Sequence, residues 1–367
     1  MKFVLLLSIL LSIFSCQKRP NANIENDKCF NLKKERNAYA DFKPVDKKLI
    51  LDIKYPNLEF EEIKNPTAFD PNYSGYTYSF SDVKDFISPN EFQYLRKFNY
   101  QNTEYYLAQN DFGYWLIEYI NKIEKPYFLG IATDKYIHIK NSEKFPLISD
   151  GKLQVECAFI RLYEQEIQLL SGPKYEAIKD NLLLKINLET IKKDSDHDGF
   201  NDLFENYIGL NPNSKDSDKD GINDFEDANP LYKSEESDFT SLYETLTSEI
   251  DFYDQTISTE KIQKLRKRNK DEINSKPFVF SVYFSDCTYF KSINPVSEKT
   301  LILDEKYLKK DNFSVRTGFN YSDFSLFQKL NDHQFEIREY HHSGSATFQC
   351  EKTKSGWKID MTQMVQI

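Results

Sequence analysis

Asp194-Ser195-Asp196-His197-Asp198-Gly199-Phe200-Asn201-Asp202-Leu203-Phe204-Glu205 is the stretch that organises the rest of the chain. Acids stand at its first, third, fifth, ninth and twelfth positions, and glycine at the sixth. That spacing is what a calcium ion requires. Calcium takes about six to eight oxygens at about 2.4 Å, and alternate side chains of a tight loop converge on one point. Asp194, Asp196 and Asp198 therefore face inward. Gly199 allows the sharp turn, and the carbonyl of Phe200 adds a neutral oxygen. Asp202 contributes directly or through water, and Glu205 closes the site with two oxygens.

A second copy starts 22 residues later: Asp216-Ser217-Asp218-Lys219-Asp220-Gly221-Ile222-Asn223-Asp224-Phe225-Glu226-Asp227. Its ligand positions are Asp216, Asp218, Asp220, the Ile222 carbonyl, Asp224 and Asp227. The last acid is an aspartate, one methylene shorter than Glu205, so the first site is expected to bind tighter. About ten carboxylates fall between positions 194 and 227. Such a block repels itself without a cation and is expected to fold around one, so that binding energy becomes folding energy. Removing calcium is expected to open the segment to proteases near Lys215 and Lys219.

Both copies have the form of an EF-hand-type loop, but a true EF-hand pair needs a helix entering and leaving each loop. Here the first exit helix has room only from about Leu203 to Tyr207 before Gly209-Leu210-Asn211-Pro212 stops it. Asn229-Pro230 ends the second copy. Positions 194–230 thus resemble the thrombospondin type 3 class of bacterial calcium repeats. The Asp-x-Asp-x-Asp-Gly-x-x-Asp cores, the Gly-Leu-Asn-Pro between them and the closing Asp-Ala-Asn-Pro carry the likeness. It implies two calcium ions and covers about a tenth of the chain. Dockerins share the loop but carry longer helices after it.

The start of the chain has a different logic. Met1-Lys2 is basic, and Phe3 to Phe14 is nearly unbroken apolar sequence, too short to span a bilayer comfortably but suited to a signal-peptide core. It ends in Ile13-Phe14-Ser15-Cys16, which resembles the lipobox of bacterial lipoproteins, with Phe14 bulkier than the usual small residue. The resemblance implies a signal peptide over 1–15, acylation of Cys16, a polar tether over 16–45 and a membrane-anchored place in the cell envelope, whether in the outer membrane or on its periplasmic or surface side.

At 367 residues the chain is long for one domain. With 40% hydrophobic and 15% aromatic residues it can bury real cores. A net charge of −10, concentrated in the repeats, argues against a nucleic-acid partner, which would need basic patches. Short apolar runs broken by turn signals make 46–190 a mainly β domain. A first strand is expected over Lys48–Tyr55, a short helix over Glu91–Phe98 and a hairpin at Asp150-Gly151. The repeats occupy 191–232 as a short irregular segment. Helical spacing of Leu242, Leu246 and Ile250, then Ile262 and Leu265, with strands over Phe278–Phe284, Gly344–Cys350 and Gly356–Ile359, makes 233–367 an α+β domain.

Four cysteines remain besides Cys16, none at CxxC spacing. Cys287 and Cys350 are expected to pair, and Cys157 to be a buried thiol in a strand. No GxSxG, P-loop, GxGxxG or HExxH pattern occurs. His341-His342 would point to opposite faces of a strand, His197 sits at a variable loop position facing solvent, and Trp115 and Trp357 read as core anchors. The function expected is a calcium-binding exported lipoprotein whose loops space two domains that bind a protein or glycan ligand. A secreted hydrolase with scattered catalytic residues is the alternative, and an immunity-type structural protein is a narrower one.

Overall fold

A computed structural model describes residues 44–70, 92–132, 136–140, 142–164, 174–235, 237–247, 259–304, 306, 322–331, 333–341, 344–354 and 356–366. Strand predominates, in three sheets, so the fold is mainly β. A short helix α1 (Lys47–Leu51) and a strand β1 (Glu59–Glu62) come first. An antiparallel meander follows: β2 (Gln93–Tyr100), β3 (Thr103–Asn110), β4 (Gly113–Ile120) and β5 (Ile123–Ala132). A second antiparallel sheet is ordered β1-β9-β8-β6, where β6 is Ile137–Ile139, β8 Lys152–Glu164 and β9 Lys174–Asn187; β7 (Ile148–Ser149) also pairs with β8.

Local backbone chemistry builds these hairpins. Gln101-Asn102, Asn121-Lys122 and Asp150-Gly151 all have positive φ at both turn residues. That is the two-residue turn whose twist matches the strands it joins. The Asp150-Gly151 hairpin is the one expected from sequence; it joins β7 to β8.

Two local expectations are corrected. Lys48–Tyr55 does not start a strand: α1 occupies Lys47–Leu51, because the Asp46 side chain caps it by accepting from Lys48 N (2.8 Å) and Leu49 N (3.4 Å). Glu91–Phe98 is not helical: Gln93–Tyr100 is β2. A register shift between Tyr94 and Arg96 buries both Tyr94 and Leu95, which breaks strand alternation and imitates helical spacing.

β4 is buried on both faces from Gly113 to Glu118, so it reads as an apolar run broken only at Glu118. Tyr114 and Leu116 join Leu153, Val155, Leu184 and Ile186 of the second sheet in one core. Trp115 and Ile117 join the other, together with Phe200, Phe204, Phe278 and Phe284. Two short helices bracket the first acidic loop, α2 (Leu188–Lys192) and α3 (Asp202–Ile208); α3 ends at Gly209 in the left-handed conformation (φ +94°).

Beyond the repeats come α4 (Asp238–Thr247), which holds Leu242 and Leu246, and α5 (Thr259–Ser275), which holds Ile262 and Leu265, in line with the expected helical spacing; Ile250 lies outside the described residues. A third sheet has the order β11-β10-β12-β13-β14-β15, with β10 (Phe280–Phe284) parallel to β11 (Lys299–Leu303) and β12 (Ser322–Lys329). α6 (Thr288–Lys291) lies between β10 and β11 in sequence. Strands β13 (Gln334–His341), β14 (Gly344–Thr353) and β15 (Gly356–Gln366) continue antiparallel, and β14–β15 is the closing hairpin. Trp115 and Trp357 are both buried, each in a core of its own.

The expected Cys287–Cys350 bond does not form. Cys350 is a free, buried thiol on β14, while Cys287 is disulfide-bonded to a partner outside the described residues. Cys350 points into the core that holds Phe335, Trp357 and Ile359, and burial raises its pKa. Cys157 is free and buried, as expected, with its thiol pushed up to about 12 by burial.

Candidate metal centre

Each acidic loop is shaped by its own carboxylates. In the first, Asp194 accepts from His197 N (2.7 Å) and Gly199 N (3.3 Å), Asp196 from Asp198 N (3.1 Å) and Asp198 from Phe200 N (2.7 Å). In the second, Asp216 accepts from Lys219 N (2.7 Å) and Gly221 N (3.0 Å), Asp218 from Asp220 N (2.9 Å) and Asp220 from Ile222 N (2.9 Å). The fourth and sixth residues have positive φ in both: His197 and Gly199, Lys219 and Gly221. His197 is exposed. The copies thus share one backbone, turned so that the remaining carboxylate oxygens converge.

Three clusters result. Within each, one oxygen per residue lies within 4.8 Å of the others: Asp194 with Asp196 and Asp198, Asp216 with Asp218 and Asp220, and Asp198 with Glu205 and Asp224. Buried oxygens without a hydrogen-bond partner are concentrated here: Asp196 Oδ2, Asp198 Oδ2, Asp218 Oδ2, Asp227 Oδ2 and both oxygens of Glu205. Glu205 is fully buried, and Asp227 nearly so. Buried carboxylate oxygens with no donor are costly, and either a proton or a bound cation would relieve them. The donor set is entirely oxygen, which suits a hard divalent ion.

The other acids are placed differently. Asp202 turns back to accept from Ser195 N (2.7 Å) and Ser195 Oγ (2.9 Å), and pairs with Lys193 Nζ (2.6 Å). Burial opposes its charge, but the Lys193 ammonium and Ser195 hydroxyl hold its carboxyl below the usual range. Asp224 accepts from Ser217 N (3.0 Å) and Oγ (2.6 Å) in the same way, yet also joins the cluster around Glu205. Asp227 stands outside the three clusters. At the seventh position, the Phe200 side chain is buried, whereas that of Ile222 is 41% exposed.

Burial, reinforced by neighbouring carboxylates, raises several carboxyls of the two loops. Asp198 is pushed to about 7, Glu205 to about 8, Asp227 to about 7, and Asp218 and Asp224 to about 6. These acids are raised above their unfolded values, so their contribution to the ion-free fold is fully present below about pH 4 and is lost as pH rises through about 6–8. A cation competes with the same protons. Calcium affinity should therefore be about tenfold or more higher at pH 8 than at pH 6, measured by isothermal titration. Equal affinities would show that the carboxyls are already ionised at pH 6.

Several residues that sequence inspection passed over fasten the loops. Asn201, almost fully buried, accepts from Phe128 N (3.1 Å) and donates to Phe128 O (3.0 Å) and Ile191 O (2.8 Å), tying the first loop to β5 and α2. Asn229 donates to Lys291 O and Ile293 O, both at 2.9 Å, and Thr300 N donates to Ala228 O (2.7 Å), tying the end of the second loop to the C-terminal sheet and its helix. Lys299 donates its ammonium to Phe225 O and lies over the rings of Phe200, Phe225 and Phe280 at 5.3–5.7 Å. Burial lowers its pKa to about 7, against the pull of Asp227 and Asp198.

His138 is buried on β6 against the ring of Phe69, and burial holds its imidazole near 3, so it stays neutral. Cys16 and His342 lie outside the described residues. Among the described residues no helix is long and apolar enough to cross a membrane. No protein-family model, curated protein or solved structure matches the chain.

Proposed function

We propose that this chain is a calcium-binding lipoprotein of the cell envelope. In this reading two tandem calcium loops clamp a mainly β N-terminal domain (46–190) to an α+β C-terminal domain (233–367), and the clamped pair presents a surface to a protein or glycan ligand. The observation that carries the calcium part is Glu205, a fully buried carboxylate with neither oxygen hydrogen-bonded, beside Asp198 and Asp224. The packing of Phe200 and Phe204 in one core with Trp115 and Phe278 supports a clamp rather than a free spacer. The anchor rests on Cys16 at the end of the apolar leader.

Calorimetry of the full chain should register two calcium ions, with magnesium a poor substitute because it demands stricter six-fold geometry. A chain that takes up no calcium heat would remove the clamp. Cys16→Ala should move the protein from the membrane fraction to the soluble one; a variant that stays membrane-bound with unchanged mass would remove the anchor.

A further inference from the structure

Asp224 occupies the ninth position of the second loop, but its carboxylate also reaches the first. One of its oxygens lies within 4.8 Å of ligand oxygens of Asp198 and Glu205. Asp224 and Glu205 are both fully buried. Neither oxygen of Glu205 has a hydrogen-bond partner, and Asp198 Oδ2 has none. These unsatisfied oxygens sit where Asp224 arrives from the neighbouring loop.

Asp224 can serve both loops because each carboxylate oxygen has two lone pairs. One on each oxygen is used by Ser217 N and Ser217 Oγ, which closes the second loop. The others remain available toward Glu205. Asp202, the same position in the first loop, behaves differently. Its oxygens face Ser195 and Lys193, and among the described residues it joins no carboxylate cluster. The donation therefore runs one way. The loops abut directly: Lys215 Nζ donates to His197 O (2.9 Å), and the rings of Phe200 and Phe225 are 5.0 Å apart.

The geometry points to a shared site: the cation of the first loop takes a ligand from the second through Asp224, so that ordering the second loop completes the first. The inference rests on the calcium reading above. It makes the two ions a coupled pair, in which loading of the second loop by calcium raises affinity at the first, in addition to the advantage Glu205 has over Asp227 in reach. Coupling of this kind requires a group whose position depends on one ligand and which contacts the other, and Asp224 is placed as such a group.

Calcium titration of the full chain by calorimetry tests this. The Asp194→Asn, Asp196→Asn double variant identifies which heat belongs to the first loop. Asp224→Asn, which keeps the shape and an oxygen for Ser217, should weaken the first-loop site about tenfold or more. Asp216→Asn with Asp218→Asn, which disables the second loop's own ligands, should weaken it as well. Retained circular dichroism of each variant guards against unfolding. A first-loop affinity unaltered in Asp224→Asn would overturn the shared site while leaving two independent calcium loops standing. A third calcium ion, lost selectively in Asp224→Asn, would also overturn it, since the cluster would then be a separate site. No calcium heat from the unmodified chain would remove both the shared site and the calcium reading beneath it.

Discussion

Saturating calcium should raise the melting temperature of the full-length chain by about 10 °C or more over the chelated form. Each ion bound at about a hundred times its dissociation constant adds about 2.7 kcal/mol to the folded state, so two sites add about 5. A shift of about 2–4 °C per kcal/mol is usual for a large domain. The gain should be global rather than confined to the loops. Glu205 belongs to α3, whose neighbouring residue Phe204 is packed against Trp115 at 5.0 Å and Phe128 at 5.8 Å. Asp227 is two residues from Asn229, which is bonded to the backbone of the C-terminal half at Lys291 and Ile293. Chelation should leave Glu205 and its neighbours crowded with no ion between them, and loosening them disturbs the core shared by both halves. Thermal melts in calcium and in chelator, followed by tryptophan fluorescence and circular dichroism, make the comparison. Coincident curves in the two conditions would contradict it.

The convergence of Asp194, Asp196 and Asp198, and of Asp216, Asp218 and Asp220, was legible because a tight loop fixes the geometry of its first residues; the same spacing did not place Asp202, which turns to Ser195 and Lys193, or Asp227, which joins none of these clusters. Helical spacing around Leu242 and strand alternation around Cys157 were equally local signals. What escaped was set by tertiary contact. Nothing in the spacing of the second loop says that Asp224 reaches Glu205 in the first. Asn201 and Asn229 look like ordinary loop residues until their amides meet the backbones of Phe128 and Lys291. Lys299 lies far from the acids in sequence and is buried beside them. The short Lys47–Leu51 run could be helix or strand by pattern, and Asp46 as a capping residue decides it. The pairing of Cys287 could not be read from domain membership, because the strand register turns Cys350 into a core of aromatic side chains.

Phe200→Ala and Ile222→Ala should differ sharply, although the two residues hold the same position in the two loops. Each is read as offering calcium its carbonyl oxygen, which alanine also supplies, so the side chains alone are compared. Phe200 is fully buried, with ring centroids of Phe204 at 5.2 Å, Phe225 at 5.0 Å and Phe278 at 5.5 Å, and the Lys299 ammonium 5.5 Å from its own centroid. Truncating it leaves a cavity among these rings and costs about 3–5 kcal/mol, or about 10 °C in melting temperature. It should also weaken calcium at the first loop, because the ring holds the backbone that presents the carbonyl. Ile222 is 41% exposed, and its truncation should cost no more than about 0.5–1 kcal/mol. Calcium affinity at the second loop should be unchanged. Thermal melts and calcium titrations of the two variants, run side by side, make the comparison. Equal losses would show that the first loop is not anchored through Phe200. A large loss in Ile222→Ala would mean that its exposed side chain meets a partner on that face.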